Sequence, residues 1–286
     1  MIKALVLLLL PIAYCSLDTV SNDLFSPSDN VEILTGHNFK RLVEKSPTAW
    51  LVNFYSNTNV RSKEFSLIWK KLATEAKSWR DLVRVGVVDC SKEINKEICR
   101  QSFVLAYPTV KYFHERGSLG KTDFGYHVIT SLKFDWLKRN VVNVFQNVIS
   151  KSPGNGLQLQ YPRGIVPTAD PSQQKLFEGV KKNVKYVILV IEDFRQPLGA
   201  EMALHFHRTP QVAFKRTVLA SGATLKHLLK LPPLPLPHIV ITDRRNNVEI
   251  ISHNINETMS MKWVLHKYLQ SKGIKPIVVI PKKLTQ

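Results

Sequence analysis

The alternation of apolar and polar positions is most informative between residues 50 and 76, where it predicts a buried strand followed by an amphipathic helix. Residues 50–55 form a strand-like apolar run, and the polar residues 56–59 separate it from the helix. Apolar residues then recur at the three- and four-residue spacing that places them on one helical face. They are Phe65, Ile68, Trp69, Leu72, Ala73 and Ala76. A strand that feeds such a helix is half of a βαβ unit.

The rest of the first half alternates between strand and helix patterns in the same way. Strands are predicted at residues 31–34, 83–88 and 106–113. Helices are predicted at residues 38–45, around Lys96 and, after a hairpin, at residues 128–148. The resulting order of elements, β-α-β-α-β-α-β-β-α, resembles the thioredoxin fold.

The second half repeats this pattern and contains no cysteine. Strands are predicted at residues 186–191, 212–219 and 239–242, and helices at residues 197–205, 224–230 and 259–269. The sequence therefore predicts an α/β protein with two tandem thioredoxin-like domains, each a central mixed β-sheet flanked by helices. The predicted divisions are a first domain at 26–149, a linker at 150–165, a second domain at 166–273 and a basic tail at 274–286.

The amino terminus has the pattern of a cleaved signal peptide covering residues 1–15. One positive charge, Lys3, precedes an apolar core of about ten residues, and small residues such as Ala13 and Ser16 suit a cleavage site after Cys15. A membrane anchor is disfavoured because a span needs roughly 20 apolar residues. Lipidation of Cys15 is disfavoured by the bulky Tyr14 beside it. We expect a protein of the secretory pathway, in the Golgi or endoplasmic reticulum lumen or outside the cell, with no membrane span.

Removal of Cys15 would leave two cysteines, Cys90 and Cys99. An even pair in an oxidising compartment favours a disulfide, and this one would close a loop of about ten residues. A redox-active pair is the alternative, but the spacing is far wider than Cys-x-x-Cys. The pair is therefore interpreted as structural. Because the loop is remote in sequence from Asn59 and Pro108, we expect no effect of this disulfide on partner binding.

Several stretches together resemble the N-terminal half of the quiescin sulfhydryl oxidase family, which is related to protein disulfide isomerase. The stretches are SPSDNVEIL, IWKKLA, the cysteines at 90 and 99, AYPTVKYF, PLGAEMALHFHR and VAFKRTVL. The resemblance implies a tandem thioredoxin fold and a bridge between Cys90 and Cys99. Members of the family oxidise substrate dithiols with a Cys-Gly-His-Cys motif and pass the electrons to an Erv-type domain that binds FAD.

The chain departs from that family pattern at the residues that carry the chemistry. The motif reads Asn59, Val60, Arg61 and Ser62, and Asn53 stands where the family has a buried glutamate that handles protons. No segment resembling the flavin domain is found before the chain ends at Gln286, so no cofactor is expected. An amide or a hydroxyl cannot replace a thiolate in disulfide exchange.

The turn residues also have structural interpretations. Asn59 is expected to cap the helix by accepting hydrogen bonds from its free N–H groups, which would leave Ser62 as a helical surface residue. A nucleophilic Ser62 is disfavoured because no histidine flanks the turn. Tyr107 and Pro108 stand where the thioredoxin fold places a cis-proline beside a substrate groove. Leu236 and Pro237 occupy the matching place in the second half.

Other motifs are weaker. The pair His205 and His207 could bind a metal, but residues two apart on a helix point to different sides, so solvated histidines and no metal site are expected. The proline-rich residues 231–237 are interpreted as the approach to a strand rather than as a peptide ligand. Asn256 begins the one N-glycosylation sequon of the sequence.

The formal net charge of +18 is informative about binding partners rather than about the fold. Residues 1–150 have 20 basic and 14 acidic residues, and residues 151–286 have 20 and 8, so the second half carries most of the excess. The basic residues of the second half occur as scattered pairs rather than as one block. They are Lys181, Lys182, Lys185, Lys215, Arg216, Arg244, Arg245, Lys282 and Lys283. A solvated surface is the simpler interpretation, and an acidic surface or polysaccharide is the alternative. A nucleic acid partner is not expected in the secretory pathway.

Three functional hypotheses follow. The first is a redox-inactive thioredoxin-like protein that binds secretory polypeptides or another redox protein beside Pro108. The second is a truncated or isoform product of a flavin-linked thiol oxidase that forms disulfides. The third is a basic secreted protein that binds acidic partners. The absence of thiols at residues 59 and 62 favours the first hypothesis.

Overall fold

A computed structural model describes residues 23–44, 46–115, 126–150, 176–177, 180, 182–192, 198–218, 237–245, 247–251 and 258–277. Its first part is a five-stranded mixed sheet in the order β1-β3-β2-β4-β5. The strands are β1 (Glu32–Leu34), β2 (Ala49–Tyr55), β3 (Val83–Asp89), β4 (Thr109–Phe113) and β5 (Tyr126–Val128). The helices are α1 (Phe39–Val43), α2 (Val60–Ala76), α3 (Lys96–Gln101) and α4 (Phe134–Ser150). The predicted order of these nine elements is confirmed.

Strand β2 is the centre of this sheet and is buried along its whole length. It pairs in parallel with β3 and antiparallel with β4. Alternate side chains of a strand point to opposite faces, so Leu51 and Tyr55 pack in the larger apolar cluster with α2 and α4, whereas Trp50 and Phe54 pack in a smaller cluster with α1. The sheet is therefore covered on both faces.

The second part is a four-stranded mixed sheet in the order β7-β6-β8-β9. The strands are β6 (Tyr186–Glu192), β7 (Val212–Val218), β8 (His238–Asp243) and β9 (Val248–Ile250), and the helices are α5 (Leu198–Phe206) and α6 (Thr258–Ser271). Helix α5 lies close against the sheet at Gly199, where an added Cβ would come within 2.8 Å of the Arg216 Cβ. Both sheets are mixed and flanked by helices, as predicted.

One predicted helix boundary is wrong. Val128 belongs to strand β5, where it pairs with Val110, and the helix begins at Phe134. The intervening residues contain a serine whose hydroxyl accepts the Lys133 N–H at 3.0 Å, a local contact that precedes the first helical turn. The apolar character of Val128 was thus a strand signal rather than the start of the helical face.

Several predictions fall on residues outside the described ranges. They are the signal peptide at 1–15, nearly all of the linker at 150–165, the helix at 224–230, the peptide bond between Leu236 and Pro237, the proline-rich approach, the sequon at Asn256 and most of the basic tail. None of the helices in the described part of the chain has the length and apolar character needed to cross a bilayer.

The two parts contact each other through polar and charged groups as well as apolar side chains. The His207 Nε2 lies 2.8 Å from an Asp81 oxygen, and the Arg208 guanidinium lies 3.0 Å from the same carboxylate. Lys138 of α4 lies between Glu75 of α2, at 3.7 Å, and Glu201 of α5, at 3.5 Å. Asp81 and Lys138 belong to the first part, whereas Glu201, His207 and Arg208 belong to the second, so their contacts form an interface between the two parts.

Candidate functional site

The turn between β2 and α2 is held by hydrogen bonds from its own polar side chains. Asn59 has extended backbone dihedral angles at the N-cap position, and its Oδ1 accepts the Ser62 N–H at 2.9 Å. The side chain thereby satisfies one of the free N–H groups at the start of the helix. The predicted capping role of Asn59 is confirmed.

The prediction that Ser62 is a surface residue is wrong, because its side chain is completely buried. It lies on the inward face of α2 with Phe65 and Trp69, three and seven residues later. Its Oγ accepts the Ser56 N–H at 3.3 Å and so ties the helix to the end of the preceding strand. Val60 and Arg61, between Asn59 and Ser62, are exposed instead.

Asn53 is buried on the sheet face that α2 and α4 cover. It alternates with Leu51 and Tyr55, which pack in the cluster on that face. Neither its Nδ2 nor its Oδ1 has a hydrogen-bond partner within the described part of the chain. An unpaired amide costs less than an unpaired carboxylate would in the same place, since burial of a charge is more expensive. Asparagine is therefore the physically cheaper residue for this position in the absence of a thiol.

The predicted cis-proline is present at the peptide bond between Tyr107 and Pro108. Strand β4 begins immediately afterwards, and Thr109 is the Cα partner of Phe54. Pro108 therefore lies alongside the end of β2, where the chain enters the turn at 56–59. This strand pairing brings the turn and the proline close together, although they are about 50 residues apart in the sequence.

Exposed apolar side chains occur on the segments that meet near the proline. Leu105 in the loop before it is 94% exposed, and Val60 at the start of α2 is 68% exposed. Ile129 follows Val128 of β5, which pairs with Val110, so it lies across from Thr109 and is 74% exposed. We call the surface formed by Val60, Leu105, Tyr107, Pro108 and Ile129 the proline face.

The predicted disulfide between Cys90 and Cys99 is present, with the two Cα atoms 6.0 Å apart. The Cys90 N–H donates to the Tyr55 carbonyl at 2.7 Å, and the Val104 N–H donates to the Cys99 carbonyl at 3.0 Å. One end of the bridge is thus attached to the strand that enters the turn, and the other end to the loop that carries Leu105. The expectation that this bridge has no effect on partner binding stays a prediction, and these two contacts give a physical reason to revise it.

We expect removal of this bridge to affect both stability and the proline face. Replacing both cysteines, as Cys90→Ala with Cys99→Ala, should lower the free energy of unfolding by about 2–3 kcal/mol, because a loop of about ten residues is no longer closed. Hydrogen exchange of the amides around residues 104–108 should also become faster. Intact mass after alkylation without reductant should show no modified cysteine in the native protein. Two alkylated thiols under those conditions would contradict the structure.

Comparison with known proteins identifies the first part of the chain. Residues 30–126 match the family model named Thioredoxin. This part is a thioredoxin domain. Solved structures agree with that fold over a longer stretch: ERdj5 crystal form I has a TM-score of 0.56 and 16% identity, covering 86% of this chain and 31% of that one. Full-length ERdj5 has a TM-score of 0.55 and covers 85% of this chain and 33% of that one.

The curated relatives confirm the resemblance to the sulfhydryl oxidases. Sulfhydryl oxidase 1 of Gallus gallus is 26% identical over 224 residues, which is 77% of this chain and 28% of that protein. Sulfhydryl oxidase 2 of Homo sapiens is 26% identical over 202 residues, or 70% of this chain and 28% of that protein. The chain therefore spans less than a third of the length of these relatives.

The histidines at 205 and 207 are not freely solvated as predicted, because His207 contacts Asp81 of the thioredoxin domain and His205 is partly buried. The His207 Nδ1 lies 2.6 Å from the Leu204 carbonyl while its Nε2 contacts Asp81. Burial, reinforced by the nearby positive charge of Lys262, lowers the pKa of His205 to about 3. No group of three or more histidine, cysteine, aspartate or glutamate residues suited to a metal ion occurs among the residues described.

Sequence reasoning missed the buried charges that join the thioredoxin domain to the second sheet. Lys138, Glu201 and Lys262 are all buried, and the Lys262 Nζ lies 3.9 Å from the Glu201 carboxylate. Burial would lower the pKa of Lys138, but the adjacent carboxylates of Glu201 and Glu75 raise it overall. A sequence signal existed, since α5 is apolar on nearly all sides and such a helix is typically buried against neighbours on every side.

Proposed function

We propose that this chain is a redox-inactive thioredoxin-like protein that binds extended polypeptide segments at the proline face. The observation that carries the proposal is the state of residues 59 and 62. Neither side chain contains a thiol, and both take part in hydrogen bonds that hold the turn, Asn59 as the helix cap and Ser62 as the acceptor for Ser56. The turn therefore acts as a structural element, and its side chains cannot carry out disulfide exchange.

The proline face offers what an extended polypeptide needs for binding. Its apolar side chains stand exposed around an open turn, and clustered exposed apolar residues mark interaction sites in soluble proteins. Tyr107 is half-buried, so its ring is held in place while one side stays accessible. Aromatic side chains of this kind supply large contact areas at low entropic cost. The partner would be a secretory polypeptide or another redox protein presenting an apolar segment.

The proposed role uses no cofactor and takes place in the secretory pathway, in the lumen of the Golgi or endoplasmic reticulum or outside the cell. The predicted signal peptide supports this location. The alternative role is that of a truncated or isoform product of a disulfide-forming thiol oxidase, and it is supported by the relatives named sulfhydryl oxidase. That role would require thiols, which residues 59 and 62 do not supply, so binding is the favoured role.

A binding measurement tests the proposal. The probe is a fluorescent, reduced and carbamidomethylated protein, which is unfolded, has no free thiol and gains no charge from the alkylation. Val60→Asp combined with Leu105→Asp should weaken its binding at least tenfold, because each apolar side chain contributes about 1.5–3 kcal/mol when buried and 1.4 kcal/mol corresponds to a factor of ten.

The matched control places two aspartates at exposed apolar residues of the second part. Trp263 and Ile277 are 59% and 51% exposed. Trp263→Asp with Ile277→Asp should leave binding unchanged. Equal weakening by both pairs of substitutions would refute a site at the proline face, as would a wild-type chain that does not bind the probe. Oxygen consumption with a reduced protein substrate above the blank would support the oxidase alternative instead.

A further inference from the structure

One end of the second sheet brings together three basic segments that are far apart in sequence. Tyr186 at the start of β6 pairs with Asp243 at the end of β8 and with Val212 at the start of β7. The Asn183 side chain donates to the Pro210 carbonyl at 3.3 Å, and the Ile277 N–H donates to the Thr209 hydroxyl at 3.3 Å. Residues 182–185, 243–249 and 268–277 therefore meet around the loop at 209–211.

Positive charge predominates in these three segments. They contain six cationic side chains and two carboxylates. The cations are Lys182, Lys185, Arg244, Arg245, Lys272 and Lys275, and we call this set the basic end. All six are exposed. Four of them, Lys182, Lys185, Arg244 and Arg245, are among the scattered pairs of the sequence. Strand pairing and the contact of Ile277 with Thr209 bring them together with Lys272 and Lys275.

The two carboxylates at the basic end are already engaged. Asp243 accepts the Arg245 and Asn247 N–H groups at 2.8 and 3.0 Å, contacts that build the turn between β8 and β9. Those contacts oppose the effect of burial and lower the pKa of Asp243 overall, so it remains ionised. Glu249 is 2.7 Å from the Lys272 Nζ. Four cations thus remain in excess over the carboxylates of these segments.

One of the six cations, Arg244, is anchored by contacts with its surroundings. The Arg244 Nε donates to the Val184 carbonyl at 3.1 Å, and the guanidinium lies 5.0 Å from the centre of the Phe177 ring. Lys182, Lys185, Arg245 and Lys275 have no ion pair with any residue that the structure describes. A cluster of exposed cations of this kind attracts a polyanionic ligand.

We propose that the basic end binds a linear sulfated polysaccharide, a function separate from peptide binding at the proline face. Proteins that bind single-stranded nucleic acid interleave cations with aromatic rings for base stacking. Here Tyr268, the aromatic side chain of the third segment, is covered by Lys272, whose Nζ lies 5.1 Å from the ring centre. Recognition through charge alone, in a chain with a predicted secretory signal, favours sulfate esters as the ligand groups.

Heparin affinity measured across a series of NaCl concentrations tests this proposal on the full mature chain. The patch variant combines Lys182→Glu, Lys185→Glu and Arg245→Glu. The control variant makes the same change in net charge on the thioredoxin domain, with Lys40→Glu, Arg41→Glu and Lys133→Glu, all exposed positions. Circular dichroism and the thermal midpoint establish that both variants are folded.

The patch variant should lose at least tenfold in affinity at 150 mM salt and show a smaller salt dependence, by about one counterion for each removed charge. The control variant should stay within about twofold of the wild type because only long-range attraction changes. Equal losses in both variants would refute a defined site. Equal retention on desulfated heparin, or tighter binding to a single-stranded RNA than to heparin, would refute sulfate recognition. Binding of the carbamidomethylated probe should be unchanged in the patch variant, which separates this test from that of the proline face.

Discussion

Substituting cysteine at both Asn59 and Ser62 is expected to give the chain dithiol–disulfide exchange, an activity that we propose the wild type lacks. The N-terminal N–H groups of α2 point to residue 59, as shown by the 2.9 Å contact from the Ser62 N–H to the Asn59 side chain. A thiolate at the same position would accept these hydrogen bonds and the positive end of the helix dipole, which lowers the pKa of a thiol. The three-residue spacing on one helical turn is that of Cys-x-x-Cys.

The rate of disulfide exchange should stay below its full value until a proton acceptor is introduced at residue 53. Asn53 lies on the sheet face that α2 covers, where Ser62 is also buried. An amide does not take up a proton at neutral pH, so the buried thiol introduced by Ser62→Cys would have no neighbouring base. Adding Asn53→Glu should raise the exchange rate further, by roughly tenfold or more, in line with the contribution of general bases. If the double variant already matches the triple variant, the carboxylate has no such role.

A control pair of cysteines distinguishes the effect of position at the helix terminus from the effect of simply having two thiols. Val60→Cys with Lys63→Cys has the same spacing, but Val60 and Lys63 are both exposed and neither is the helix cap. Stopped-flow reduction of a small disulfide and reduction of insulin are suitable measurements. The capping pair should react several-fold faster than the control pair at pH 7 if its thiolate is stabilised by about 1.4 kcal/mol or more, because a lower pKa enlarges the thiolate fraction while it reduces the nucleophilicity of each thiolate. Equal rates would show that the helix terminus contributes nothing here.

The course of the chain through the site was predictable, because local signals specify it. Asn59 before an apolar helical face is a capping signal, and the order of strands brings Pro108 beside the turn. Burial of Ser62 was predictable in principle as well, since it precedes Phe65 by three residues and Trp69 by seven on the same helical face. The burial of Ser62 is not evident when only apolar residues are used to define the buried face of the helix. A small polar residue can occupy a buried face when a backbone group, here the Ser56 N–H, satisfies it.

The interface and the basic end were not predictable from periodicity. Asp81 and His207 are 126 residues apart, and their contact depends on how two separately formed sheets meet. The basic end likewise depends on the pairing of Tyr186 with Asp243 rather than on any run of charge in the sequence. Helical and strand periods report which side of an element is buried. They carry no information about which charged residue on one element meets which residue on another.

Lys138→Met is expected to destabilise the protein by about 3 kcal/mol, because removing one partner leaves buried carboxylates without compensation. Lys138 is only 4% exposed and lies within 4.0 Å of Glu75, Glu201 and Asp135. Methionine keeps most of the volume, so the loss reports charge rather than a cavity. Lys262 lies 3.9 Å from Glu201 and compensates part of its charge, which limits the loss of stability. Among the described residues, Lys262 forms no ion pair with Glu75. Urea denaturation followed by tryptophan fluorescence provides the measurement.

Two further variants determine whether the charge is the cause. Lys133→Met lies on the approach to the same helix at an exposed position and should change the free energy of unfolding by less than about 0.5 kcal/mol. Lys138→Met combined with Glu201→Gln removes charge from both sides of the contact and should recover at least half of the loss, since an amide is cheaper to bury than an unpaired carboxylate. A double variant as unstable as the sum of its single substitutions would show that Lys138 and Glu201 act independently. In that case the two parts would be held together mainly by apolar packing between α4 and α5, and the buried charges would be incidental to the interface.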